Sequence, residues 1–284
     1  MTQAELTPCF FIGEQIADFQ LIRLLRVHRL AESWYALRRE NAAPIAVKFL
    51  RKENPGIPKF CRIAHFLRDN HSPFLIHVSE CAETIGQIPY ATMEYADRGT
   101  LRSFLAKHGK LPLANAVYLL RGCLTALAAL HEHNIIHRDV KPDNIWLFSD
   151  GSFRLGDLDL AKLPGIQEEP GKVFGTASYI SPEQAMDSTR VDNRSDLYSL
   201  ALVLFEALTG TRFRPKNSFM NAVRLARSDR SAPPLEILQD AATGKLAGLL
   251  AGMMEYTPAL RPGSAQEILA ELDLMQLPDQ SSLF

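Results

Sequence analysis

Residues 135–147 read IIHRDVKPDNIWL. The stretch holds an aspartate, Asp139, a lysine two positions later, Lys141, and an asparagine three beyond that, Asn144. Transfer of a phosphoryl group needs these residue types in one loop. A carboxylate accepts the proton of an attacking hydroxyl, an ammonium balances charge on the moving group, and an amide oxygen ligates Mg²⁺.

On either side of this loop the chain changes texture. Upstream, ADFQLIRLLRV, SWYALRR, PIAVKFL, HVSECAE and YATMEYA are short apolar or alternating runs broken by charge and proline, which predicts strands. Among them IPKFCRIAHFLRDN predicts one helix, with Pro58 in its first turn and Phe60, Ile63, Ala64 and Leu67 at helical spacing. From about residue 100 the texture is helical. LANAVYLLRGCLTALAALHEH is apolar on most sides, as a helix inside a larger lobe must be. SDLYSLALVLFEALTG is similar, with Ser195 or Asp196 as N-cap and Gly210 as its stop. Residues 211–240, rich in Arg, Pro and Ser, read as exposed connections, and GKLAGLLAGMMEY and SAQEILAELDLM as closing helices.

Composition narrows the class. The 284 residues are 46% hydrophobic and 22% charged, with a formal net charge of −1, which gives no reason to expect nucleic acid or an acidic membrane surface as partner. The four cysteines are scattered without a CxxC pair, and the start MTQAELTPCFFIGEQ has no basic, apolar leader pattern. No uninterrupted run of eighteen apolar residues occurs. A cytoplasmic protein without a membrane span is the expectation. His133 and His137 are spaced i, i+4, but neither an HExxH pattern nor a third ligand accompanies them.

The loop at 135–147 closely resembles the catalytic loop of eukaryotic-type (Hanks-type) protein serine/threonine kinases, H-R-D-x-K-P-x-N. The likeness extends over residues 18 to 272. AVKFL (46–50) looks like the family's strand lysine, and MEYADRGTL (93–101) like the hinge between lobes. GTASYISPE (175–183) is similar to the segment that closes the activation loop, and GDLDLAK (156–162) stands where the family has D-F-G-L-A-K. The resemblance implies an α+β, bilobal protein kinase fold: a small antiparallel β-sheet lobe with one helix, and a large, mainly helical lobe. It divides the chain into an N-terminal extension (1–17), an N-lobe (18–95), a C-lobe (96–272) and a C-terminal tail (273–284).

It also implies roles. Asp139 is the base, Lys141 the phosphate partner, Asn144 and Asp157 the Mg²⁺ ligands, and Lys48 the contact to the α- and β-phosphates of ATP. Met93 backs the adenine pocket, and Glu94 to Ala96 offer backbone hydrogen bonds. Thr176 contacts the base region, Glu183 pairs with Arg261, and Asp196 holds the catalytic loop. The implied reaction moves the γ-phosphate of ATP to a serine or threonine hydroxyl of a protein substrate.

Several positions depart from the pattern. Arg26, His28 and Ala31 occupy the three positions of the glycine-rich loop. Arg26, His28 and Arg29 either supply positive charge to the phosphates or are solvated cations on a strand-linking turn. Ile63 falls where the helix glutamate belongs, which leaves Lys48 to be oriented by Asp159 or Asp157. Asp159 replaces a glycine, a residue chosen for backbone angles that cost others, although aspartate tolerates the left-handed region. Ser33 replaces the usual valine over the base, and Trp146, in place of leucine, either stacks on adenine or fills the pocket floor. Residues 160–174 contain no Ser or Thr. Glu168 and Glu169 either present a fixed negative charge to Arg138 or are solvated, and weak exposed ion pairing favours the second. The expectation is a divergent, slow ATP- and Mg²⁺-dependent kinase. The alternative is a pseudokinase that serves as a scaffold or regulatory partner of another protein.

Overall fold

The computed structural model describes residues 7–84, 86–214, 219–228, 234–235, 241–278 and 282–283. The chain divides into two compact units, residues 1–97 and 98–284.

The first unit is a six-stranded antiparallel sheet with one helix, ordered β1-β2-β3-β4-β6-β5. Its strands are β1 (Gln15–Ile16), β2 (Phe19–Val27), β3 (Ala31–Arg38), β4 (Pro44–Leu50), β5 (Val78–Glu83) and β6 (Pro89–Glu94). In β4 the alternation of Ile45, Val47 and Phe49 puts one face into the core, as a period of two requires. On that face Phe19, Leu21, Trp34, Ala36, Val47, Phe49 and Tyr90 pack with Phe10. Each large side chain so buried contributes about 1.5–3 kcal/mol. Helix α1 (Ile57–Asp69) starts with Pro58 in its first turn and turns Phe60, Ile63, Ala64 and Leu67 inward, against β5 and β6. The unit begins earlier than residue 18. Phe10 meets Phe49 at 4.3 Å between ring centroids, and the Cys9 N–H donates to the buried Glu32 at 2.8 Å.

The second unit is mainly helical. It contains α2 (Leu101–His108), α3 (Leu113–Glu132), the hairpin of β7 (Ile145–Leu147) and β8 (Phe153–Leu155), α4 (Pro182–Met186), α5 (Arg194–Thr209), α6 (Phe219–Ser228), α7 (Ala241–Met253) and α8 (Ala265–Met275). Helix α3 is long and apolar enough for a membrane span by those measures alone, yet most of it is buried against α5 and α8. Helix α5 is buried on every side and stops at Gly210, which takes the left-handed φ of 75°. Toward the C-terminus, Leu283 is buried and its N–H donates to Gly151 O at 2.8 Å.

Two expectations are corrected. Neither Ser195 nor Asp196 caps α5. The helix begins at Arg194, whose N–H is taken by Asp192 Oδ1 at 2.9 Å, while both residues bond elsewhere in the unit. The stretch 211–240 is also not all connection: α6 forms within it and buries Val223 and Ala226 against Ile180 and Ala185.

Candidate active site

In the first unit, strand register decides which side chains share a face. Arg26 lies opposite Ser33, Ser33 opposite Lys48, and Ala46 opposite Met93. Directly paired residues project to the same side of a sheet, so Ser33 and Lys48 stand side by side, away from the Trp34–Phe49 core. Met93 is buried, Glu94 ends β6, and Ala96 lies two residues beyond it. The turn between β2 and β3 closes without glycine, by His28 N–H to Ala31 O at 2.7 Å, and Arg26, His28 and Arg29 are exposed.

In the second unit, the loop between α3 and β7 draws its polar groups together. Asp139 Oδ2 accepts from Lys141 Nζ at 2.6 Å and from Asn144 Nδ2 at 3.1 Å. Its Oδ1 accepts from Thr176 Oγ1 at 2.7 Å, and Lys141 Nζ also donates to Thr176 Oγ1 at 2.9 Å. The carboxylate is only 6% exposed, and an ammonium, an amide and a hydroxyl fix its orientation. A carboxylate held by three donors in this way has few ways to turn.

The Asn144 amide nitrogen is spent on Asp139, at 2.9 Å to the backbone oxygen as well, which leaves its oxygen as the atom available to a cation. The Gly156 N–H donates to Asn144 O at 2.9 Å, so Asp157 follows within one residue of that contact. A carboxylate and an amide oxygen are the hard donors Mg²⁺ takes, with phosphates and water completing its shell. The donor set therefore fits the ion without a cluster of three carboxylates, and none is found among the described residues.

Backbone strain sits at Asp157, not at Asp159. Asp157 has φ 58°, and Asp159 is not among the residues of positive φ. The cost that glycine would relieve is thus carried two residues earlier, at the proposed metal ligand. Trp146 lies against Gly156: a Cβ there would stand 2.8 Å from the indole, so a side chain at 156 has no room.

Asp196 holds the loop from beneath. Its carboxylate accepts the backbone N–H of His137 and of Arg138, each at 2.8 Å, and pairs with His131 Nε2 at 2.9 Å. Burial pushes this carboxyl upward, yet the His131 hydrogen bond and charge, the His137 charge and the Arg138 N–H outweigh it and hold it below the usual carboxylate range. Those N–H bonds also support Arg138 in its left-handed conformation, φ 62°.

Glu183 is similar. Burial raises it, but the two bonds from Arg261 at 2.7 and 2.8 Å, with Ser195 Oγ at 2.6 Å, bring it below its ordinary value. The buried Arg261 also donates to Glu255 O at 2.7 Å and lies 4.7 Å over the Tyr198 ring.

Arg138 overturns the solvated reading of the acidic pair at 168–169. Its guanidinium donates two bonds of 2.6 Å to Glu168, and the two side chains are 1% and 18% exposed. Glu169 keeps the solvated role, paired with exposed Lys172 at 2.9 Å.

Other residues of this neighbourhood gave no signal, or a weak one, in the sequence. Gln184 Nε2 bridges Arg138 O and Phe174 O at 2.7 and 2.8 Å. Buried Glu206 accepts from Arg102 at 2.6 Å, Arg212 at 3.1 Å and the Tyr179 hydroxyl at 2.5 Å, and Arg102 reaches on to Asp143 in the loop. Burial opposes ionisation of Glu206, but these partners, Arg102 first, lower it. A lone carboxylate inside the apolar run of α5 was the available signal, since a buried charge must be paired. Arg214, buried on Ile180 O and the Tyr198 hydroxyl, had none.

The chain matches the protein kinase domain family over residues 30–272. It is similar to serine/threonine-protein kinase PknL of Mycobacterium tuberculosis, 35% identical over 66% of this chain and 47% of that protein. It is also similar to a probable serine/threonine-protein kinase PknB of Bifidobacterium longum, 33% identical over 76% of this chain and 34% of that protein. A third relative is the probable serine/threonine-protein kinase CPE1738 of Clostridium perfringens, 33% identical over 81% of this chain and 34% of that protein. The chain thus spans between a third and a half of the length of these curated relatives.

Proposed function

Because the chain belongs to the protein kinase domain family, we propose that it is a divergent, slow serine/threonine kinase that moves the γ-phosphate of ATP to a protein hydroxyl. The observation that carries this reading is the closed set around Asp139. Lys141 and Thr176 hold opposite oxygens of the carboxylate at 2.6 and 2.7 Å. In the proposed reaction the Asp139 carboxylate takes the proton of the attacking serine or threonine hydroxyl, and Lys141 offsets charge on the group in transfer. Asn144 and Asp157 are the residues that would hold Mg²⁺, which supplies charge neutralisation of the phosphates. Lys48 is assigned to the α- and β-phosphates, with Ser33, Met93, Glu94, Ala96 and Trp146 assigned to the nucleoside, and Arg26 and His28 beside the phosphates.

The second reading is a pseudokinase that acts as a regulatory or scaffolding partner. The glycine-free β2–β3 turn and Ile63 in α1 favour it, because both affect how phosphates are held. ATP, a protein substrate and a cytoplasmic setting belong to the first reading, with no role for nucleic acid or membrane.

Thermal shift with ATP tests the nucleotide binding that the first reading requires. A ligand that binds the native state alone raises its melting point by mass action. The kinase reading expects a Mg²⁺-dependent rise that Lys48→Ala removes. No rise at millimolar ATP and Mg²⁺ contradicts it and leaves the partner role.

A further inference from the structure

We infer that Glu168 is a built-in positioning residue: a permanent anion that orders the 160–175 segment where a phosphate group would otherwise be required. This rests on the phosphotransfer reading above. Ordering of such segments by a phosphorylated side chain works through new bonds to an arginine. Residues 160–174, LAKLPGIQEEPGKVF, carry no Ser, Thr or Tyr to modify. The arginine is nevertheless in place and satisfied. Arg138 makes two parallel 2.6 Å bonds to the Glu168 carboxylate, the bidentate geometry that makes such pairs strong.

The same guanidinium ties down the rest of the segment. Its Nε donates to Leu160 O at 2.7 Å, a terminal nitrogen donates to Ser188 O at 2.8 Å, and its plane lies 5.3 Å over Phe174. Further anchors are the Ile136–Lys162 backbone pair, at 3.0 and 2.7 Å, and Ser188, which bonds Lys172 O and the Phe174 N–H. Arg138 is one residue from Asp139, so the anion that satisfies its side chain also steadies the base. Without Glu168 the guanidinium would be a buried, uncompensated charge, and the segment that buries it would be driven open. The neighbouring Glu169, 81% exposed, provides a matched control for loss of one negative charge.

The test uses the full chain, its unphosphorylated state verified by intact mass after treatment with a broad-specificity phosphatase. Hydrogen exchange across 160–175 is read without nucleotide, so a chain that proves inactive still reports on the clamp. Glu168→Gln is expected to raise exchange there about tenfold or more, the scale of one lost charge-assisted hydrogen bond. Where transfer is measurable, kcat is expected to fall about tenfold with KM for ATP within about twofold, the mark of a positioning loss. Glu168→Asp is expected to restore part of both, and Glu169→Gln to match the parent. Equal protection in the parent and Glu168→Gln would overturn the inference. So would a parent that loses protection or activity after the phosphatase, an arm that decides the matter even if the variants fail to fold. Protection with no transfer defeats the phosphotransfer reading and leaves the clamp standing.

Discussion

At Gly175 a single hydrogen stands where any other residue would place a carbon. Its φ is +120°, and a Cβ there would lie 2.6 Å from Gln184 Nε2 and 3.0 Å from Arg138 O. The amide can retreat only by giving up its bonds to Arg138 O and Phe174 O, and the carbonyl is backbone in the loop between α3 and β7. Gly175→Ala is therefore expected to cost about 1–3 kcal/mol in strain alone. It should lower the melting temperature by about 2–4 °C for each kcal/mol, read by calorimetry. A second prediction concerns the neighbouring hydroxyl. Thr176→Val removes the donor to Asp139 Oδ1 and the acceptor for Lys141, and is expected to cut transfer by about tenfold, with Thr176→Ser restoring it. At this scale the residue types around Asp139 were legible, because an acid, an ammonium and an amide at fixed spacing have few other uses together. Their strain was not. Substitution of glycine by Asp159 pointed to one position, while the positive φ lies at Asp157, since backbone angles depend on the contacts of the whole loop.

Among the elements, α5 shows how a helix can be read for its kind and misread at its end. Its unbroken apolar sequence announced a buried core helix, and the structure buries nearly every residue in it. Asp196 looked like a cap by its place near the first turn, while the family resemblance gave it the loop at 135–147. Three donors outside the helix claim it instead, two backbone N–H groups and His131. Asp196→Ala leaves those N–H groups buried without an acceptor, and removing one partner of a buried charged cluster costs about 3–5 kcal/mol. Denaturant titration should show that loss at unchanged m-value. Helix α6 illustrates the opposite difficulty. Its sequence, FMNAVRLARS, is amphipathic, but among its described side chains only Val223 and Ala226 are buried while Phe219 and Met220 stay exposed, and the Arg-, Pro- and Ser-rich residues around it hid the helix. Strands β2 to β6 were legible to within a few residues, because a half-buried sheet imposes its period of two on the sequence, whereas the two-residue β1 is too short to show a period.

For the molecule as a whole, buried carboxylates set the response to acid. Glu183, Asp196 and Glu206 each sit below their ordinary pKa in the folded chain. Depressed values mean that the unfolded state binds protons first. Their stabilisation is complete above the unfolded value of about 4 and is lost as pH falls through the lower folded values. The melting temperature is expected to drop steeply between about pH 4.5 and pH 3, and this drop should be shallower in Asp196→Asn. A melting temperature that rises over that interval would contradict the assignment. The division into a strand-rich and a helical unit was legible from texture alone. The Arg102–Glu206 ion pair and the Arg214–Tyr198 hydrogen bond were hidden, because partners 104 and 16 residues apart meet only through the fold, whereas Arg138–Glu168 was one of two readings the sequence left open.

The most direct measurement is transfer of label from γ-labelled ATP to a generic protein substrate by the purified chain, followed by phosphoamino-acid analysis, with Asp139→Asn alongside. Mg²⁺-dependent, slow formation of phosphoserine or phosphothreonine is expected, with the variant reduced by about 10²–10⁴-fold, the usual contribution of a general base, while remaining folded. Label incorporated equally by parent and variant, or none by a parent that binds ATP, would contradict the kinase assignment.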